Sequence, residues 1–208
     1  YLTELERRHI PVLLISAIFR KEQIFFRWYG QLFRRLLKGY DRIFVQTTAA
    51  ESLLQQAGIA QVTLAGDTRF DQVIAVAARA REVPVLEQFL QGGKALMAGS
   101  TWPDDEKMLS AYYRQQKPAF PLVIAHHEIH EGHIRDIERL FEGMTVRYSR
   151  YENETASDKP VLIIDNIGML SSLYRYGFAA YIGGGFNAGI HNVLEAAVFD
   201  IPVIFGPR

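Results

Sequence analysis

Gly183-Gly184-Gly185-Phe186-Asn187-Ala188-Gly189-Ile190-His191-Asn192-Val193-Leu194-Glu195-Ala196-Ala197 is the stretch that decides the fold. An apolar run, Phe178 to Ile182, precedes it, and another, Ile201 to Phe205, follows a helical pattern. The order reads strand, glycine loop, helix, strand. Glycines admit positive φ and let a ligand approach the backbone closely. A helix starting near His191 aims unpaired N–H groups and a partial positive charge at the loop, where a phosphate can sit. Glu195, one turn in, can accept hydrogen bonds from ribose hydroxyls. A phosphate at the helix start with a carboxylate one turn in describes a nucleotide-sugar site. The loop is neither the Gly-x-Gly-x-x-Gly dinucleotide pattern nor a P-loop, because no Gly-Lys-Ser/Thr follows. Taken without the His-Asn-x-x-Glu that opens the helix, such a loop is equally compatible with a tight turn.

Working outward, the same alternation recurs. Pro11 to Ala17 reads as a buried strand, and residues 22–38 as a helix with Ile24, Phe25, Trp28, Leu32, Phe33 and Leu36 near helical spacing. Arg27, Arg34, Arg35 and Lys38 share its remaining surface. Such a basic amphipathic helix can lie on a membrane or pack on a sheet with its arginines in water. Arg42 to Gln46 is a strand. Thr48-Ala49-Ala50-Glu51 reads as a capping box opening a helix that Gly58 ends. Gln61 to Ala65 is a strand running into Gly66-Asp67-Thr68-Arg69-Phe70-Asp71, with a helix over 71–80. Residues 81–93, with Pro84 and Gly92-Gly93, read as a linker.

The second half restarts with a strand from Lys94 to Ala98, then Gly99-Ser100-Thr101-Trp102-Pro103. Pro103, Asp104, Asp105 and Glu106 suit the first turn of a helix. A strand at 122–125, a helix at 130–141, a short strand at 145–148, a polar loop at 152–159, a strand at 161–165 and a helix at 169–176 complete the pattern. Alternating strands and helices imply parallel sheets with right-handed crossovers, here in two domains.

Composition sets bounds. With 208 residues and 49% of them hydrophobic, the chain can build one large or two small domains. The absence of cysteine excludes a disulfide framework and a thiolate metal site, and fits a reducing compartment. No apolar run reaches transmembrane length, and the first residues lack a signal-peptide pattern. Residues 1–45 hold nine Lys/Arg and four Asp/Glu, a net of +5, whereas residues 46–208 hold fourteen and nineteen, a net of −5. The first part is therefore suited to an anionic partner, although ordinary surface charge accounts for it equally. The chain opens inside a helical pattern and stops directly after a strand, so we expect a fragment of a longer protein.

His126-His127-Glu128-Ile129-His130-Glu131-Gly132-His133 invites a metal reading. It fails the His-Glu-x-x-His test, because residues 131 and 134 are Glu131 and Ile134. His130 and His133 can share a helix face, but spacing names no third ligand. The reading preferred here makes His127 a donor to a phosphate or base, with His130 and His133 on a solvated helix.

Taken in order, Gly66 to Asp71, Gly99 to Thr101, His127-Glu128, Tyr148-Ser149-Arg150, Asp165 to Gly168, Gly183-Gly184 and His191 to Glu195 resemble the 3-deoxy-D-manno-octulosonic acid (Kdo) transferases. Singly each match is weak; the ordered set is specific. Ile167-Gly168-Met169 and Gly-Gly-Gly-Phe look like the Bacteroidetes branch of that family. The resemblance implies a GT-B-like α/β fold of two Rossmann-type parallel-sheet domains, both incomplete here. Residues 1–80 would then be the C-terminal part of the acceptor domain, 81–93 the linker, and 94–208 a truncated CMP-sugar donor domain. It implies transfer of Kdo from CMP-Kdo to the lipid A precursor in lipopolysaccharide biosynthesis, with no cofactor or metal and no nucleic-acid partner. The place of action would be the cytoplasmic face of the bacterial inner membrane, against an anionic surface. Implied CMP contacts are His126, His127, Ile167, Gly168, Met169, Asn192, Val193, Leu194 and Glu195, and Arg69 takes the place of the basic residue that stabilises the transition state. Two departures stand out. His126 occupies a position where the family has proline, and the family's catalytic glutamate lies upstream of Tyr1. On these grounds the 208 residues alone are expected to bind CMP weakly and transfer nothing. The rival readings are another GT-B enzyme, a UDP-sugar transferase or epimerase, or a nucleotide-binding module without turnover.

Overall fold

A computed structural model of the chain describes residues 1–151, 158–186 and 189–207. The contacts divide it into two units, Tyr1–Gln72 and Val73–Arg208. Most of the polar loop expected at 152–159, and Asn187 and Ala188 of the glycine loop, lie outside the described residues.

The first unit opens with helix α1 (Leu2–Arg7) and strand β1 (Leu13–Ala17), then a 3-10 turn (Ile24–Phe26) and α2 (Gln31–Lys38). Strand β2 (Arg42–Val45), α3 (Thr48–Gln56), β3 (Val62–Leu64) and the start of α4 (Thr68–Ala78) follow. The three strands are parallel, in the order β1-β2-β3. Ile43, Val45, Leu54, Ile59 and Leu37 form the core of this unit, with Phe19, Phe25 and Phe26 packed edge to face beside it. Thr47, not Thr48, caps α3: its side chain accepts from Ala50 N at 3.2 Å.

Two expectations change here. The helix expected over 22–38 is a 3-10 turn, a bend at Gly30, and then α2. A Cβ at Gly30 would collide with the Ile24 carbonyl, so the bend depends on that glycine. The strand expected to be buried, β1, leaves Leu13 and Ile15 exposed, because it is an edge strand with only one face in the core.

In the second unit the stretch read as a linker holds helix α5 (Pro84–Leu90). Pro84 starts it, as its ring suits a first turn, and Val83, Leu86 and Leu90 bury into the core. Helical burial therefore overrides the linker signal of Pro and Gly, and the division between units falls earlier, at Gln72/Val73. Then come β4 (Ala95–Thr101), α6 (Pro103–Gln116), β5 (Leu122–His126), α7 (Glu131–Leu140), β6 (Thr145–Arg147) and β7 (Val161–Ile163). The unit closes with α8 (Leu170–Leu173), β8 (Gly177–Ile182), α9 (Leu194–Ala197) and β9 (Val203–Phe205). Six parallel strands run in the order β6-β7-β5-β4-β8-β9.

Alternation along β4 explains the two layers. Ala95 and Met97 face a core shared with α5, α8 and α9, whereas Leu96 and Ala98 face one shared with α6 and α7. Gly99 continues the first face. A Cβ there would collide with the hydroxyl of Tyr174, which is buried and has nowhere to move. Gly99→Ala should therefore cost about 1–3 kcal/mol as an overpacked core, measured by urea denaturation. Adding Tyr174→Phe should recover part of that loss; a Gly99→Ala chain as stable as wild type would contradict this packing.

Candidate functional site

The second unit has a topological switch. Strands β5, β7 and β6 lie on one side of β4, and β8 and β9 on the other. Open α/β sheets bind ligands outside the carboxyl ends of the strands at such a point. The residues expected to hold CMP come from this edge. His126 ends β5 and His127 follows it; Ile167, Gly168 and Met169 follow β7; Asn192 to Glu195 follow β8. Gly168 takes a φ of 88°, a turn that suits glycine. Met169 sulfur accepts from Asn166 Nδ2 at 2.8 Å. Asn192 Nδ2 donates to Glu195 Oε1 at 3.1 Å, while Asn192 Oδ1 accepts from Leu194 N at 3.2 Å. A cleft of about 430 Å³ within this unit is lined by Arg79, Tyr148, Gly168, Met169 and Ser172.

The glycine loop differs from its sequence reading. The helix after it starts at Leu194, not near His191, and has four residues, because Asn192 ties the preceding turn with its own side chain. Gly183 and Gly185 serve close backbone packing. A Cβ on Gly183 would strike the Ser100 carbonyl, and one on Gly185 would lie 2.6 Å from Gly206. Gly184 has φ 92°, but its N–H donates to Asp105 Oδ2 at 2.9 Å. That N–H is thus committed to a carboxylate rather than offered to a phosphate.

Asp105 is the organising side chain that sequence reading took for an ordinary first-turn acid. It is 1% exposed. It accepts from Trp102 N (2.9 Å), from Gly184 N (2.9 Å) and from the Tyr181 hydroxyl (2.5 Å). It therefore binds the start of α6 to β8 and to the loop after β8. Beside it, the indole Nε1–H of Trp102 donates to His191 Nε2 at 3.0 Å. The two rings are 9° from parallel, and His127 stacks on both, 4.7 Å from Trp102 and 4.4 Å from His191. Trp102 and His191 were not among the expected contacts. The signal available was position: each follows a strand at the carboxyl edge.

The histidine cluster divides by burial. His127 and His130 are exposed, His126 and His133 buried. His133, expected on a solvated face, instead bridges α7 to α6. Its Nδ1–H donates to the Glu128 carbonyl at 3.1 Å, and its Nε2 lies 2.8 Å from Glu106 Oε2. Since a carbonyl only accepts, Nδ1 carries a proton, and one further proton is shared between Nε2 and Glu106. Glu106 also accepts from the Thr101 hydroxyl at 2.9 Å. Burial holds its carboxyl above the usual range, against the opposing pull of His133. His130 caps α7, its Nδ1 accepting from His133 N. Among the described residues no group of three or more His, Asp or Glu is placed to hold a metal ion.

Arg69 lies in the first unit, on the first turn of α4, and its guanidinium grips Asp67 at 2.6 to 3.1 Å. The pairing holds the Asp67 carboxyl below its ordinary range. Nearby, Ser16 adopts φ 58° where β1 bulges, and its hydroxyl receives bonds from Gln46 Nε2 (2.8 Å) and Thr68 Oγ1 (3.2 Å). Ser149, in the 3-10 turn after β6 in the second unit, donates from N and Oγ to Asp165 at 3.0 and 2.5 Å. Two motifs far apart in sequence thus form one corner.

His126 is 4% exposed, and neither ring nitrogen has a hydrogen-bond partner. Burial first, then the His133 and His130 imidazoles, push its pKa down to about 4. The unfolded chain binds the proton near pH 6.5 and the folded one only near 4. His126 therefore adds no proton-linked loss above pH 6.5, and stability is lost as pH falls from there toward 4. The loss approaches about 3 kcal/mol at most. Urea titrations from pH 7.5 to 4.5 should show this extra acid loss in wild type but not in His126→Leu. Parallel pH curves for the two proteins would contradict it.

Comparison with known proteins adds similarities. Residues 1–72 match the model described as 3-Deoxy-D-manno-octulosonic-acid transferase (kdotransferase). The 3-deoxy-D-manno-octulosonic acid transferase of Rickettsia felis is 24% identical over 208 residues, covering 96% of this chain and 44% of the relative. The chain thus spans about half or less of the length of the curated relatives it matches first. Among solved structures, the C-terminal CMP-Kdo binding domain of WaaA from Acinetobacter baumannii has a TM-score of 0.50 at 22% identity, over 66% of this chain and 72% of that one. UDP-GlcNAc 2-epimerase from Methanocaldococcus jannaschii has a TM-score of 0.56 at 15% identity, over 98% of this chain and 56% of that one. By sequence the chain is similar to the Kdo transferases along both of its units, and its fold is GT-B-like, built of Rossmann-type parallel sheets.

Proposed function

We propose that this relative of the Kdo transferases is part of a glycosyltransferase of lipopolysaccharide biosynthesis that moves Kdo from CMP-Kdo to the lipid A precursor. The observation that carries the reading is the gathering of His127, Ile167 to Met169 and Asn192 to Glu195 at the carboxyl edge of one sheet, beside its switch point. With His126 these are the residues the family resemblance assigns to CMP; His126 itself is buried under the edge, at 4% exposure, and is not free to meet a ligand. Glu195 is half-buried and oriented by Asn192, as a ribose-binding carboxylate needs to be.

The chemistry is inverting transfer. A general base removes the acceptor hydroxyl proton, and that oxygen attacks the anomeric carbon of Kdo. A carbon–oxygen bond to the acceptor forms as the bond to the phosphate oxygen breaks. The electron pair leaves on CMP. The departing charge calls for preorganised donors and cations. Arg69 is the assigned cation, already oriented by Asp67.

A UDP-sugar enzyme is the second reading, favoured by the fold shared with the epimerase. Calorimetric titration with CMP, UMP and UDP separates the two. CMP should bind in preference to the uridine nucleotides, and Glu195→Ala should weaken it roughly tenfold, the worth of one or two hydrogen bonds to a charged group. A preference for UDP would move the chain to the second reading. No binding of any nucleotide would contradict both.

For the acceptor we place the protein at the cytoplasmic face of the inner membrane, peripheral or anchored, on an anionic lipid surface. Support comes from the first unit, where Trp28 is 91% and Leu32 66% exposed beside exposed Arg35 and Lys38. Arg27 and Arg34 serve otherwise, since they donate to the carbonyls of Glu22, Phe25 and Arg27 and hold the bend before α2. No helix among the described residues is long and apolar enough to cross a membrane. Near an anionic surface each basic residue contributes about 1 kcal/mol. Arg35→Glu with Lys38→Glu should therefore lower binding to phosphatidylglycerol vesicles by at least about tenfold. Unchanged vesicle binding would rule the surface out.

A further inference from the structure

Trp102, His191 and His127 form a contact that the proposed donor site has not yet used. An indole Nε1–H is a donor and never an acceptor. The His191 Nε2 that meets it at 3.0 Å must therefore hold a lone pair. A neutral imidazole with its lone pair on Nε2 carries its proton on Nδ1. A second proton on Nε2 would set two N–H groups head to head. The rings are 9° from parallel, and the indole N–H is directed at Nε2, where the lone pair lies. His127 lies over the pair, so a charge on His191 would also face another imidazole. Burial and His127 hold the His191 pKa below its ordinary value, and the carboxylates of Asp105 and Glu195 oppose them without prevailing.

We propose that Trp102 is a positioning residue that locks His191 as the neutral, Nδ1-protonated imidazole, so that His191 meets the nucleotide phosphate as a hydrogen-bond donor and not as a cation. The phosphate role rests on the nucleotide reading above; the lock does not. The backbone holds the ring's place, with His191 N on the Gly183 carbonyl and Asp105 fixing both Trp102 N and Gly184 N. Trp102 adds the choice of tautomer. A donor of fixed tautomer binds phosphate without gaining strength as the solution is acidified through the ordinary histidine range.

The lock is read first without ligand, by two-bond proton–nitrogen correlation spectra of the histidine rings in the 208-residue chain, with His191→Ala for assignment. Wild type should show the Nδ1–H tautomer for His191 and a titration below the ordinary histidine pKa. Trp102→Phe, which keeps an aromatic ring beneath His127 but has no N–H, should give mixed tautomers and a raised pKa. A wild-type His191 protonated on Nε2 at neutral pH overturns the lock with no variant needed. Calorimetry then tests the phosphate. Trp102→Phe should weaken CMP about tenfold at pH 7.5 and leave cytidine unchanged. Its CMP affinity should also rise on acidification to pH 6, where wild type stays flat. Equal losses for CMP and cytidine would assign Trp102 a packing role and overturn the proposal. A wild-type chain with the Nδ1–H tautomer that binds no CMP contradicts the nucleotide reading, and the phosphate role with it, while the lock stands.

Discussion

Asp105 holds the second unit together where its sheet changes direction. A buried carboxylate is costly unless every lone pair finds a donor. Here the donors are two backbone N–H groups and a tyrosine hydroxyl, from the end of β4, from β8 and from the loop beyond β8. Those three elements meet only at the switch point. The carboxylate therefore fixes how closely the glycine loop approaches β4, and Gly183 is the residue that tolerates the approach. Trp102 and His191 reach hydrogen-bond distance because the backbone on either side of each is already tied down.

This constraint changes the meaning of the glycines. Read as sequence, Gly183-Gly184-Gly185 let a ligand approach the backbone, with the N–H groups of the following helix aimed at it. In the folded chain the Gly184 N–H serves Asp105, and the other two glycines make room for neighbouring backbone. In the proposed function, recognition of a nucleotide then falls to side chains around the loop: Glu195 with Asn192, and the rings of Trp102, His191 and His127. The same edge contains a second buried system, in which Glu106 joins Thr101 to His133 and so ties α6 to α7. Both depend on acids in the first turn of α6, just after Pro103.

The strands and most helices were legible because hydrophobic period and turn chemistry agree there, as in β4, β8 and α6. Where they disagreed, tertiary contact decided. Pro84 and Gly92-Gly93 look like a linker, yet Leu86 and Leu90 bury completely enough to make α5 part of the second core. Residues 22–38 have helical spacing, yet Gly30 and the guanidinium of Arg34 bend the chain. The candidate site was read as a set of ordered motifs, most of which fold to one sheet edge. Asp105 was not, because an acid at that position in a helix needs no special reason from sequence alone. Trp102 and His191 were hidden for another cause: their pairing spans 89 positions and exists only once β4 and β8 are neighbours.

The central claim is that a cytidine nucleotide sits at the carboxyl edge of the second sheet, between the loops after β5, β7 and β8. Amide chemical-shift mapping of the labelled chain during a CMP titration tests it most directly. The account predicts saturable shifts concentrated on His127, Gly168, Met169, His191 and Glu195, with the outer faces of α6 and α7 unmoved. Saturable shifts that cluster elsewhere, or shifts spread evenly over both units, would contradict it.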